Sequence, residues 1–446
     1  MSDQEGKMFK RLLSAGLAGI LCMSLAACGG KDSGTGNTSG SKADGKGITV
    51  AIWDNNQLSG LKQIADDWSK ESGVPVKFQV MDWDSYWTTL EAGVSGGQMP
   101  DVFWMHSSYA DMYTGSDILL PLDDYVDKSD KISFDDYYDG ITELYEKDGK
   151  HYAIPKDHDT IAVVYNKKIF DKYGVSYPTK DWTWEDFADT AKKITDAGKD
   201  DGVYGTYMNT GSNQSGWYDV VYSFGGEIIN SDRTKSGMDN ENTLKAMNFI
   251  GDKILPSCPS QDSMANTSGD TMMISGKLGM YLDGSWMINS YYTSDIKDDL
   301  AWVELPYEDV NGNGTCDKEE RCSIYNGLGW SIYKNSPHKD EAFSLIEAMT
   351  DKEGQEKQAQ LGVTMAAYKD ASEKFAEAFQ GMDLSAFTDI ENDGTLVMRP
   401  YSKYSSRWED SFTDGLIPAW NDPSQMTDVC KDLANQMNQT LAEEKE

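Results

Sequence analysis

Ile48-Thr-Val-Ala-Ile-Trp53 and Asp101-Val-Phe-Trp-Met105 are two short apolar runs of strand type. What lies between them decides the fold. Leu61, Ile64, Ala65 and Trp68 fall at helical spacing. Val74 to Val80 alternates as a strand does. Tyr86 to Val94 returns to helical spacing and is stopped by Gly96-Gly97. The unbroken apolarity of the run ending at Met105 suits a parallel strand covered on both faces. The order βαβαβ predicts the opening of a doubly wound α/β sheet.

Toward the C-terminus a second unit begins at Tyr152-Ala-Ile-Pro155. Strands are predicted at Thr160–Tyr165, Tyr204–Met208, Lys277–Leu282 and Trp302–Leu305, with helices through Trp184–Ile194 and Leu244–Ile254. Further helices are predicted at Lys339–Met349 and Lys352–Leu361. An amphipathic helix ends the chain, with Met426, Val429, Leu433 and Met437 on one face.

Toward the N-terminus, basic Lys7, Lys10 and Arg11 precede an apolar run from Leu12 to Ala26 that closes on Leu25-Ala-Ala-Cys28. This order resembles a bacterial lipoprotein signal peptide, 1–27, with Cys28 as the lipidated first residue of the mature chain. A plain secretory signal with an incidental cysteine is the alternative. The run is too short for a stable spanning helix. Residues 28–47 are rich in Gly and Ser and read as a flexible tether. The expected location is extracytoplasmic, on the cell membrane through a lipid anchor alone.

The chain of 446 residues is long enough for two or three domains. A net charge of −34 opposes any phosphate backbone, so nucleic acid is a poor partner. The 13 Trp and 24 Tyr exceed what a core needs and suit half-exposed binding surfaces.

Seven short motifs stand in one order: Trp83-Asp-Ser-Tyr-Trp87, Pro100-Asp-Val-Phe-Trp104, Ile154-Pro-Lys-Asp-His-Asp-Thr160, Val164-Tyr-Asn-Lys167, Gly276-Lys-Leu-Gly-Met280, Gly284-Ser-Trp286 and Tyr325-Asn-Gly-Leu-Gly-Trp330. With Arg399-Pro-Tyr401, Trp408 and Ala434-Asn-Gln-Met437, the set resembles the extracellular sugar-binding lipoproteins of bacterial ABC importers, the maltose-binding-protein-like family 1. The resemblance implies a type II periplasmic-binding-protein fold, α/β, of two lobes and a hinge. Carried over by matching strands, one lobe takes 48–157 plus 307–350 and the other 158–306 plus 351–446. It further implies a monomer that captures a carbohydrate by lobe closure and hands it to the transmembrane subunits of an ABC permease.

A pyranose has apolar faces that stack on indole and phenol rings, and hydroxyls that need planar donors and acceptors. Ligands of open α/β sheets sit beyond the carboxyl ends of strands. Trp53 and Asn55 follow the first strand, and His106 follows the third. Asp157 and Asp159 stand at the lobe crossover, where a hinge role is the alternative to a hydroxyl acceptor. Trp217, Trp286, Asn326 and Tyr401 complete the candidate set, and core packing is the competing role for its aromatic members. Trp286 leads the stacking candidates.

Asp309-Val-Asn311-Gly-Asn313-Gly-Thr315-Cys-Asp317-Lys-Glu-Glu320 matches an EF-hand loop at its ligand positions and at the turn glycine. It predicts a structural Ca²⁺ bound by Asp309, Asn311, Asn313, the Thr315 carbonyl, Asp317 and Glu320; a solvated acidic turn is the alternative. No cofactor for activity is expected. Of the six Cys, Cys22 leaves with the signal and Cys28 takes lipid, and Cys316–Cys322 is the expected bridge of the remaining four.

No Gly-x-Ser-x-Gly elbow or His-Glu-x-x-His occurs. The chain is expected not to be an enzyme. A secreted glycoside-acting enzyme using Asp157 and Asp159 is the second reading. The same fold holding a cationic peptide or polyamine is the third.

Overall fold

The computed structural model describes residues 47–444 except 139 and 212. The expected signal peptide and Cys28 lie outside the described residues.

The expected βαβαβ unit is present. β1 (Ile48–Ile52) pairs in parallel with β2 (Val76–Val80) on one side and β3 (Val102–Met105) on the other. The helix between the first two, α1 (Asn55–Ser72), buries Leu61, Ile64, Ala65 and Trp68, the stripe read from the spacing. Asp54 caps its start by accepting from the Asn56 N–H, and Gly73, at φ 73°, closes it in the left-handed conformation. α2 (Trp83–Gly96) is capped the same way by Asp82 and Gly97. The short α3 (Ser107–Gly115) follows β3 and is capped by His106, whose Nδ1 accepts from the Ser108 N–H.

The sheet is completed from far along the chain. β4 (Ile154–Pro155) forms its edge. A second sheet, in the other lobe, follows in the chain: β5 (Ile161–Asn166) lies between β6 (Met280–Gly284) and β7 (Leu300–Val303), all antiparallel. β8 (Cys322–Tyr325) then leads into β9 (Gly329–Ile332), which returns to the first sheet antiparallel to both β3 and β4. The first sheet therefore runs β2-β1-β3-β9-β4. Late in the chain, β10 (Thr395–Met398) pairs in parallel with β8. The strand expected at Tyr204–Met208 is reduced to a single bridge, Tyr204 to Leu278.

Two hydrophobic cores result. One gathers Ile48 to Ile154 with Tyr325 to Met349; the other gathers Ile161 to Leu305 with Ile324 and most of Ala359 to Leu441. The chain passes between them at 155–160, at 324–325 and around 350–367. These crossings lie side by side. The Lys156 N–H donates to Leu328 O (2.7 Å), Asp159 N–H to Asn326 O (2.9 Å) and His158 N–H to Met365 O (3.2 Å).

Residues 307–324, expected with the first lobe, pack on the second. Tyr307 pairs with Thr183, and Ile324 N–H donates to Asp219 of that lobe (2.8 Å). Arg321 anchors the segment, buried against the Glu304 carboxylate and the Lys180 carbonyl.

Candidate functional site between the lobes

The end of β1, the start of α2 and the start of α3 bring five rings together on the first lobe. Trp53 is half-buried, with its ring 4.8 Å from Trp104 and 5.1 Å from Trp83, both edge-on. Trp83 meets His106 at 5.2 Å, and Trp87 stacks on Tyr109 at 3.7 Å. Asn55 is exposed; its neighbour Asn56 makes the contacts to the other lobe, through Ser290 Oγ (3.0 Å) and the Asn289 amide (3.2 Å).

Deeper in, polar side chains from both lobes and the hinge interlock. The Asn326 side chain, 1% exposed, lies 3.2 Å from His106 Nε2 and 3.4 Å from Gln214 Oε1. Gln214 Nε2 donates to Asp159 (2.7 Å). Burial, and then the nearby Asp157 charge, push the Asp159 pKa well above the carboxylate range. Burial and the Arg399 charge hold His106 well below the usual imidazole range, so it is neutral.

A second network crosses beside it. Arg399 donates to Ser108 Oγ (2.6 Å) and to Asn213 (3.1 Å) and pairs with Glu409 (2.7 Å). Ser108 Oγ in turn donates to Glu409 (2.9 Å). Ser108 belongs to the first lobe and Glu409 to the second, on α4 (Ser405–Gly415). Sequence reasoning missed Ser108, Asn213, Gln214, Glu409 and the site role of Arg399. Arg399 stands in a motif already noted, and both amides lie in the polar stretch before Trp217. No local pattern marked the others.

The remaining candidates divide. Trp286 is half-buried on the turn leading to Asn289 and Ser290, its ring laid against Gly284; a Cβ there would come within 2.1 Å of the indole. Only glycine permits that seat. Tyr401 is half-buried under the Arg233 guanidinium, 4.3 Å from its ring centre. Asp157 turns inward: it accepts from Lys156 Nζ (2.5 Å) and the Leu328 N–H (2.7 Å). Trp217 is 2% exposed, packed on Tyr218 and Phe412 in the second core. A cavity of about 480 Å³ is lined by Tyr138, Tyr325, Lys369, Asp370, Leu396 and Met398, none of them in this set.

The loop 309–320 folds around its own side chains. Asp309 accepts from the N–H groups of Asn313 and Gly314 (both 2.9 Å), and the Asn311 and Asn313 amides both donate to Asp317. Glu320 accepts from the N–H groups of Asn311 and Asp317. Gly312 and Gly314, at φ 72° and 75°, make the wrap possible. Oxygen donors of the hard, calcium-binding kind are thus gathered on one turn. Among the described residues, no three carboxylate, imidazole or thiol side chains are grouped to hold a metal. The expected Cys316–Cys322 bridge is not formed. Both thiols are free, each turned to a carbonyl of the intervening turn, Asp317 for Cys316 and Glu319 for Cys322.

The family model for bacterial extracellular solute-binding proteins matches residues 53–356, more than half of the chain. The chain belongs to this family. Members are binding proteins, and this solute-binding protein is a binder and not an enzyme. It is 25% identical to the diacetylchitobiose-binding protein DasA of Streptomyces coelicolor over 77% of this chain and 79% of that one. It is 25% identical to the maltotriose-binding protein of Pyrococcus abyssi over 68% of this chain and 62% of that one. In fold it is similar to an ABC substrate-binding protein from Listeria monocytogenes solved with cycloalternan: TM-score 0.77, 22% identity, 89% of this chain and 98% of that one. The GacH receptor of Streptomyces glaucescens gives a TM-score of 0.76 at 18% identity, over 89% and 98%. The solute-binding protein thus has the two-lobed α/β fold expected of it. No helix among the described residues is long and apolar enough to cross a membrane.

Proposed function

We propose that this solute-binding protein captures an oligosaccharide between its lobes and delivers it to an ABC permease. The carrying observation is the half-buried Trp53 ring beside His106, whose Nε2 meets the Asn326 amide next to Gln214 and Asp159, with Trp286 of the other lobe on the turn whose Asn289 and Ser290 bond Asn56. Rings take the apolar faces of a pyranose, while amides and the carboxyl take its hydroxyls. The relatives named for diacetylchitobiose and maltotriose support the same class. Asp157 cannot serve a hydrolase pair, since both its oxygens are engaged within the hinge. Lipidation of Cys28 holds the protein, as a monomer, on the outer face of the cell membrane. A Ca²⁺ ion held by Asp309, Asn311, Asn313, Thr315, Asp317 and Glu320 would offset local carboxylate repulsion and stiffen the loop.

The test is thermal unfolding of residues 29–446 against mono- and oligosaccharides. A sugar at about 100 times its dissociation constant adds roughly 2.7 kcal/mol of apparent stability. One sugar class should raise the melting temperature and remain uncleaved. Trp286→Ala should lose the shift while melting normally without sugar. Silence across the panel, with a salt-sensitive shift from spermine instead, would replace the carbohydrate by a cation.

A further inference from the structure

We infer that Trp83 is an outer stacking platform that sets ligand length, so that this protein prefers oligosaccharides long enough to leave the cleft and pass over its indole. This rests on the carbohydrate reading above. Trp83 is 39% exposed, one of four exposed large apolar side chains among the described residues. It is the outermost member of its cluster: Trp53 is half-buried, and Trp87 is 4% exposed. Its four ring contacts, with Trp53, Trp87, His106 and Tyr109, are all edge-type, at 5.1, 5.6, 5.2 and 6.1 Å. Trp87 differs, since Tyr109 lies parallel on its face.

The position is held rigidly. Asp82 accepts from the Ser85 N–H (3.0 Å) and fixes the start of α2, so Trp83 stands on its first turn. The ring touches His106, which reaches the hinge through Asn326. Trp83 is therefore one ring removed from the enclosed polar set and open to solvent while the lobes touch through Asn56 and Ser108. Trp87 and Tyr86 of the same helix are buried, whereas Trp83 packs by its edges and keeps more than a third of its surface open. A sugar unit outside the closed cleft would find an apolar face beside the enclosed units.

Calorimetric titration with three length series tests this: maltose to maltohexaose, N-acetylated chitooligosaccharides and β-galactooligosaccharides. The wild-type chain should bind longer members of one series more tightly. Trp83→Ala should lose that increment, about five- to tenfold, and leave the shortest bound member within about twofold. Trp83→Phe should restore part of it, and neither variant should change the ligand-free melting temperature. An equal loss at every length, no loss, or no length dependence in the wild type overturns the platform. Failure of the wild type to bind any member of the three series removes the carbohydrate reading itself, and the platform with it.

Discussion

Asp157 and Asp159 are separated by one residue and both stood as candidates, Asp159 ahead, yet their surroundings differ. Asp157 neutralises Lys156, whose ammonium has no exposure and also reaches Gln57 (2.8 Å) and lies 4.7 Å from the Trp104 ring centre. Asp159 faces Gln214 and the interlobe side. Asp157→Asn leaves a buried cation uncompensated and is expected to cost about 3 kcal/mol in urea unfolding. Asp159→Asn should unfold within about 1 kcal/mol of the parent and bind sugar at least tenfold more weakly. Equal unfolding midpoints for parent and Asp157→Asn would reverse the two roles. The difference was not legible in sequence, because Gln57, Gln214 and Leu328 come from distant parts of the chain. The burial of Trp217 was not legible for the same reason: Phe412, whose ring packs on it, belongs to the last third of the chain.

The helices and strands were more readable, because each carries its own periodicity. The buried stripe of α1 was the one read from spacing, and both caps that bound it are local, the Asp54 side chain and the left-handed Gly73 backbone. Long-range pairing was not readable. Nothing within β9 says that it will lie between β3 and β4. The loop at 309–320 is an element of the same local kind. Its donors converge because two glycines and a chain of side-chain-to-backbone bonds wrap it. Added Ca²⁺ is expected to raise the melting temperature of the chelator-treated protein, and Asp309→Ala to abolish the rise. An unchanged melt would leave the loop an acidic turn.

Besides the His106–Asn326–Gln214 network, the two lobes bond in this conformation through Asn56 with Asn289 and Ser290, and through Ser108 with Glu409 and Arg399. Those bonds must break for a ligand to enter, and the hinge strands must bend where they cross. Each neutral hydrogen bond is worth about 1 kcal/mol. Asn56→Ala combined with Ser108→Ala is therefore expected to enlarge the radius of gyration of the ligand-free protein in solution scattering. It should also weaken sugar binding about fivefold. Scattering and affinity that match the parent would mean that these contacts do not hold the lobes. From sequence came the α/β class, the order of elements, the two-lobed family fold and the aromatic residues that can stack on a sugar, because these follow from local spacing and side-chain chemistry. Which carboxylate holds Lys156, how deeply each indole is buried, where 307–324 packs and which polar groups meet across the lobes were decided only by folding. Each depends on partners far apart in the chain, from 55 residues for Asp159 and Gln214 to 301 for Ser108 and Glu409, and burial by such partners, not the identity of the residue, sets what a side chain can do.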